Sequence, residues 1–181
     1  MQQQRANQYR ERYQQQQRFF EQRGRQLQQQ RRLGRWRFEQ SYWERQRRDQ
    51  VRLLNFRYID YGGPSYRYYR GGNYFEVNQY GADLLRRAVN NGYEEGFNAG
   101  QADRADGWAF NYQDSDAFGD ATYGYDGYYV DLSEYQFYFR EGFQRGYEDG
   151  YNSRYRYGSY SNGGYSIRAD VLGVILDIRG N

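Results

Sequence analysis

Glycine recurs at every fourth position in two stretches of this chain, in each case among residues that favour helix. The first, "NNGYEEGFNAGQ", carries Gly92, Gly96 and Gly100, and the second, "REGFQRGYEDGYN", carries Gly142, Gly146 and Gly150. A glycine inside a helix costs about 1 kcal/mol relative to alanine, so six cost on the order of 6 kcal/mol, comparable with the ~5–15 kcal/mol that holds many domains folded. Close approach of two backbones offsets such a cost, since a seam of residues without Cβ lets one helix settle against another. The spacing therefore predicts two glycine-grooved helices packed on each other, antiparallel, crossing near −40 to −50°. Tyr93 and Phe97 are expected against Phe143, Tyr147 and Tyr151. The competing reading, a flexible glycine-tyrosine loop, is disfavoured by the Glu, Gln, Arg and Ala at the intervening sites.

Elements around this pair follow from local signals. Gly71 and Gly72 separate the aromatic runs "YRYY" and "NYFEV", and predict a β-hairpin over Ser65–Val77. Asn78 is placed to cap the first glycine helix, which should end near Gly107. "WAFNYQDSDAFGDATYGYDGYYVD" reads as a long ordered connection. Ser133 with Gln136 offers a capping box for a second helix, from about Glu134 to Ser153. "RYRYGSYSNGGYS" reads as a loop, and Ile167, Val171, Val174, Ile175 and Ile178 suggest a short closing helix. The expected class is α+β, helix-dominated.

Charge divides the chain. Residues 1–60 hold fifteen arginines against six acids, and residues 61–181 hold eleven against seventeen. We expect a basic Gln/Arg-rich arm over 1–57, partly helical or disordered, and a compact acidic Tyr/Gly-rich domain over 58–181. The arm has good helix formers but no sustained apolar seam to offset the entropy of ordering. Arg23, Arg25, Arg31, Arg32, Arg35 and Arg37 are its candidates for polyanion contact, with nucleic acid a candidate partner for residues 5–57; the alternative is an arm that lies against its own acidic body. "YRYYRGG" adds the arginine and aromatic mixture found on RNA-binding surfaces.

The sequence contains no Lys, His or Cys. Thiol nucleophiles, histidine-based triads, Schiff-base lysines, thiolate or imidazole zinc sites and disulfides are excluded. Asp114, Asp116, Gly119 and Asp120 match four positions of an EF-hand loop, but Phe118 and Tyr125 stand at two others, so these aspartates are weak metal candidates and a turn-forming acidic loop is favoured. Glu94, Glu95, Glu141, Glu148 and Asp149 supply carboxylates for glycoside hydrolysis, although in arginine-rich helices such groups are usually ion-paired. No catalytic residue and no cofactor is expected. No apolar run approaches the ~20 residues of a membrane-spanning helix, and no hydrophobic leader follows Met1.

Residues 65–153, through "SYRYYRGGNYFEVNQYGADLLRRAVNNGYEEGFNAGQADRADG" and "YGYDGYYVDLSEYQFYFREGFQRGYEDGY", resemble a group of bacterial proteins without assigned activity, many of them exported. The repeated Gly-aromatic-x-x-Gly words carry the likeness. It implies an extracellular or periplasmic location, with a leader removed or omitted, and otherwise a cytoplasmic one. The function expected is a non-enzymatic structural or interaction protein that binds a polymer or itself through Tyr/Arg surfaces.

Overall fold

The computed structural model describes residues 2–181, with the backbone alone for residues 2–6, 8, 9, 12 and 13. That stretch of the expected basic arm therefore lies outside the described side chains. In chain order the elements are α1 (Gln2–Gln29), α2 (Leu33–Asn55), β1 (Tyr66–Arg70), β2 (Asn73–Val77), α3 (Gln79–Ala105), a 3-10 turn (Tyr112–Asp114), α4 (Asp116–Asp120), α5 (Leu132–Asn152), β3 (Gly158–Ser161), β4 (Gly164–Ile167), α6 (Ala169–Ile175) and β5 (Ile178–Gly180). The class is α+β with helix dominant.

Helices α3 and α5 form the centre, and their glycines are the contact. A Cβ built on Gly92 would lie 2.8 Å from the carbonyl carbon of Phe139; one on Gly96 would lie 2.8 Å from that of Phe143, and one on Gly100 would lie 2.7 Å from the amide nitrogen of Tyr151. Reciprocally, Gly142 faces the carbonyl of Val89, Gly146 that of Tyr93 and Gly150 that of Phe97. Any side chain larger than hydrogen would overlap backbone. Each missing Cβ leaves a Cα–H bond aimed at a facing carbonyl, a weak contact of about 0.5–1 kcal/mol that recurs along the seam.

Residue numbers rise together on both sides of this seam, so α3 and α5 run parallel. The antiparallel expectation is corrected. A four-residue glycine stripe looks the same in either direction, and it is the connection, residues 106–131, that sets the sense by returning along α5. The Tyr151 hydroxyl donates to the Trp108 carbonyl (2.6 Å), the Asn111 amide donates to the Tyr147 hydroxyl (3.2 Å), Arg140 Nε donates to the Phe118 carbonyl (2.9 Å) and Gln136 Nε2 to that of Asp120 (2.9 Å). Gln136 is thus engaged elsewhere, and no Ser133 capping box forms; α5 begins after Asp131 without a side-chain cap. Asn78 does cap α3, its Oδ1 accepting from the Gly81 amide at 2.8 Å.

The flanking rings also sit differently from expectation. Phe139, Phe143, Tyr147 and Tyr151 stack as a ladder along α5, covered by Phe110, Tyr112 and Phe118 of the connection. Tyr93 and Phe97 lie on the other side of the seam, where Phe97 stacks on Tyr165 at 4.0 Å. Each helix therefore meets the other through backbone and turns its aromatics to opposite sides.

The hairpin expected over Ser65–Val77 is present as β1 and β2, turning at Gly71 and Gly72 with φ of 56° and 87°. β5 pairs antiparallel with β1, giving a three-stranded sheet in the order β2-β1-β5. The segment expected to be a loop instead forms a second hairpin, β3–β4, around Asn162 and Gly163, both at positive φ. The expected closing helix is cut to α6: Ile167 and Ile178 belong to strands, Val174 is 83 % exposed, and Leu176 is the residue that enters the core.

The segment expected as a partly helical or disordered arm forms the two helices α1 and α2, and α2 lies antiparallel along α3. Phe38 and Tyr42 join the same buried cluster as Leu84, Leu85, Phe139 and Phe143. Gly34 allows that approach, since a Cβ there would sit 2.9 Å from the Ala102 carbonyl oxygen. The hairpin owes its order to partners far along the chain, not to an apolar seam of its own.

Candidate functional site

Where α2 meets the C-terminal end of α3, charged side chains are sealed in the interior. Arg35 and Asp103 are both fully buried; Arg35 Nε donates to Asp103 Oδ1 at 2.9 Å, Nη2 closes a second bond to Oδ2, and Nη1 reaches Glu39 at 3.2 Å. Arg32 bridges Asp103 (3.0 Å) and Asp114 (2.8 Å), with its guanidinium 4.1 Å over the Trp108 ring. The Tyr147 hydroxyl donates to Asp103. Asp106, at the end of α3, accepts from the Gly34 and Arg35 amides at 2.7 and 2.8 Å and so supplies the cap that α2 lacks from its own chain neighbours. Four buried ionisable side chains, Arg32, Arg35, Glu39 and Asp103, and a helix terminus find protein partners here, the condition under which burial is tolerated. Burial opposes the charge of Arg35, but its bond to Asp103, with Glu39 nearby, pushes its pKa up.

This junction withdraws some of the expected polyanion surface. Arg32 and Arg35 are buried and Arg23 is half-buried, donating to Asp114 Oδ1 at 2.8 Å, whereas Arg25, Arg31 and Arg37 remain exposed. An acidic surface supplied later in the chain draws the first three inward.

The three aspartates considered as metal ligands are employed in the same docking. Asp114 receives Arg23 and Arg32. Asp116 receives the Trp43 indole at 3.1 Å, and Asp120 receives the Tyr42 hydroxyl at 2.7 Å. Burial works against the charge of Asp114, yet Arg32 and Arg23 hold it below the usual carboxylate range. Among the described residues no group of three or more such ligands is arranged to hold a metal ion. Four of the five helix carboxylates are similarly tied: Glu95 to Arg45, Glu141 to Arg145, Glu148 to Arg154, and Asp149 to the Tyr93 hydroxyl and the Tyr157 amide.

Two aromatic groups face outward. On the outer side of the three-stranded sheet Tyr69 and Tyr74 pair across β1 and β2 with ring centroids 5.1 Å apart, 59 % and 71 % exposed. The Arg67 guanidinium stands 5.6 Å over the Tyr74 ring, and Arg67 neighbours Arg179 of β5. A second aromatic group occupies the pole where α3 and α5 begin. Tyr129 packs against Phe56, Tyr58, Tyr61, Tyr80 and Tyr128. Its hydroxyl accepts from the Ile59 amide (2.9 Å) and donates to the Ile59 carbonyl (2.8 Å). Beside it opens a groove of about 540 Å³, lined by Tyr58, Phe75 and Tyr128 and by Glu76, Asp131 and Glu134. Sequence reasoning missed this groove; the signal available was the tyrosine density of "YGYDGYYVD" and "FRYIDY".

No helix among the described residues is long and apolar enough to cross a membrane. Comparison with known protein families, with characterised proteins and with solved structures finds no match.

Proposed function

We propose that this chain is a non-enzymatic structural or interaction protein of a bacterial envelope or extracellular space, which binds an extended polymer or other copies of itself through tyrosine and arginine surfaces. The observation that carries this reading is the outer face of the β2-β1-β5 sheet, where Tyr69 and Tyr74 stand open beside the cross-strand neighbours Arg67 and Arg179. Flat exposed rings flanked by guanidinium groups stack on planar or apolar faces and bond to polar edges. Contiguous aromatic patches of this kind mark contact surfaces. Of the carboxylates considered for hydrolysis, Glu95, Glu141 and Glu148 each pair with an arginine and Asp149 is held by the Tyr93 hydroxyl and the Tyr157 amide, which favours a binding role.

The test is co-sedimentation of the protein with insoluble polysaccharides, together with its sedimentation velocity over a range of concentrations. Tyr69→Ala with Tyr74→Ala should weaken co-sedimentation with polymer about tenfold, or ~1.4 kcal/mol, at unchanged thermal stability. Polymer binding that ignores both substitutions, or a protein that stays monomeric and free of every polymer, sinks the reading.

A second reading, binding of nucleic acid through the α1–α2 hairpin, rests on exposed Arg25, Arg31 and Arg37. Affinity for single-stranded DNA surviving about 200 mM salt and lost in Arg25→Gln with Arg37→Gln would favour it.

A further inference from the structure

We propose that the groove at the N-terminal pole of α3 and α5 receives the arginine-bearing turn between α1 and α2 of a second copy, so that the protein assembles head to tail. This rests on the self-binding branch of the function proposed above and names its partner and both of its surfaces.

The groove has the chemistry of a guanidinium receptor. Tyr58, Phe75 and Tyr128 line it with carboxylates at its margin, and the chain's own Arg70 guanidinium already stands 5.7 Å over the Phe75 ring, a precedent for the contact. Glu134 is already taken by Arg70, whose Nε lies 2.9 Å from Oε2, but Glu76 and Asp131 are exposed. The wall is held in place: Tyr129 adopts φ of 72°, a conformation costing a bulky residue on the order of 1–3 kcal/mol, and its ring and hydroxyl fasten the strand of chain from Phe56 to Tyr61 above the opening.

The complementary surface lies at the other end of the molecule. Arg32 bonds to Asp103 and the Gly34 amide to Asp106, which pins the α1–α2 turn at the C-terminal end of α3 and leaves Arg25, Arg31 and Arg37 exposed around it. Asn78 and Asp131, which precede α3 and α5, border the groove. Because α3 and α5 are parallel, both starts share one pole and both ends share the other. The 27 residues of α3 separate these poles by about 40 Å at ~1.5 Å per residue. A chain cannot fold its own turn into its own groove, so this complementarity is met between copies. A contact joining two different surfaces of identical molecules leaves one of each unfilled at the ends, and propagates unless a ring closes.

Sedimentation velocity of the full chain tests the proposal, using two variants. A groove variant carries Glu76→Gln and Asp131→Asn; a turn variant carries Arg25→Gln, Arg31→Gln and Arg37→Gln. Native protein should show concentration-dependent association at about 20 mM salt that weakens at least tenfold near 500 mM, where screening is strong. Each variant alone should sediment as monomer, with circular dichroism and unfolding temperature unchanged. Mixed, the two should form a one-to-one dimer that grows no further, because one live turn meets one live groove and both remaining ends are disabled. Native protein that stays monomeric at low salt overturns the inference, even if it captures an added oligo-arginine peptide. So does association that persists in both variants. Association lost in Tyr69→Ala with Tyr74→Ala but kept in the groove variant also overturns it, while leaving self-binding through the sheet face intact.

Discussion

Arg35 and Asp103 face each other with neither side chain reaching solvent, one on α2 and the other near the end of α3. The pair fastens the helical hairpin to the glycine-seamed body. Truncating one partner leaves the other charge buried and unanswered, a loss of about 3–5 kcal/mol in comparable pairs. Arg35→Met and Asp103→Asn should each lower the free energy of unfolding in urea by that amount. Arg32 and Tyr147 also bond to Asp103, so Asp103→Asn should be the worse. A loss under about 1 kcal/mol for both would mean the hairpin is not fastened there.

Two helical glycines should respond to alanine with opposite sign. At Gly96 the new Cβ would fall 2.8 Å from the Phe143 carbonyl carbon, whereas at Gly173 in α6 it would meet nothing within 4 Å. Gly96→Ala should therefore destabilise by roughly 3 kcal/mol or more, since the two backbones must move apart. Gly173→Ala should stabilise by about 0.5–1 kcal/mol through helix propensity alone. Thermal unfolding of the two variants beside the native chain checks both.

Glu39 makes docking of α2 dependent on pH. Burial, with Asp116 adding and Arg35 opposing, pushes its carboxyl up to about 8, and burial likewise raises Glu95 to about 7 despite its partner Arg45. The folded state thus holds these protons more tightly than the unfolded chain. Their stabilising contribution is complete below the ordinary carboxylate pKa of ~4.3, declines as pH rises, and is gone above about 8. Asp114, held low by its arginines, has the opposite sign and loses its contribution on acidification. Urea midpoints should fall from pH 5 to pH 8, and Glu39→Gln should reduce the slope. An unchanged slope in that variant would assign the effect elsewhere.

Arg31 occupies a position better suited to glycine. It ends α1 with φ of 58°, its amide donating to the Gln28 carbonyl (3.0 Å) while that of Arg32 donates to Leu27 (2.9 Å). The same motif ends α3 with Gly107 at φ of 65°, the Trp108 amide donating to Asp103 at 2.9 Å. Arg31→Gly should stabilise by about 0.5–1 kcal/mol, and Gly107→Ala should cost a similar amount. Differential scanning calorimetry resolves both shifts.

The sequence carried the pieces of the fold more clearly than their arrangement. Gly92 to Gly150 announced a backbone contact, and Gly71–Gly72 announced a hairpin, because each needs a residue type that has no other good use there. The parallel sense of α3 and α5 was hidden, since the stripe has no direction; the length of the connection at 106–131 was the available clue. Asn162–Gly163 is a turn signal that the surrounding serines and tyrosines disguised as loop. Arg32 and Arg35 read as surface because their partners, Asp103 and Asp114, lie some seventy to eighty positions away. The aromatic groove is hidden for the same reason: Tyr58, Phe75 and Tyr128 come from three distant segments.

The parallel sense of the two glycine helices also governs the order in which the chain can settle. While the ribosome has made α3 but not α5, the first helix bears the full penalty of its three seam glycines with nothing against them, and should remain largely uncoiled. Only when the returning connection and the last turn of α5 have emerged does that penalty find its answer. A nascent chain halted after Asp131 should therefore be cut by protease within residues 92–100, sites that are closed in the finished protein.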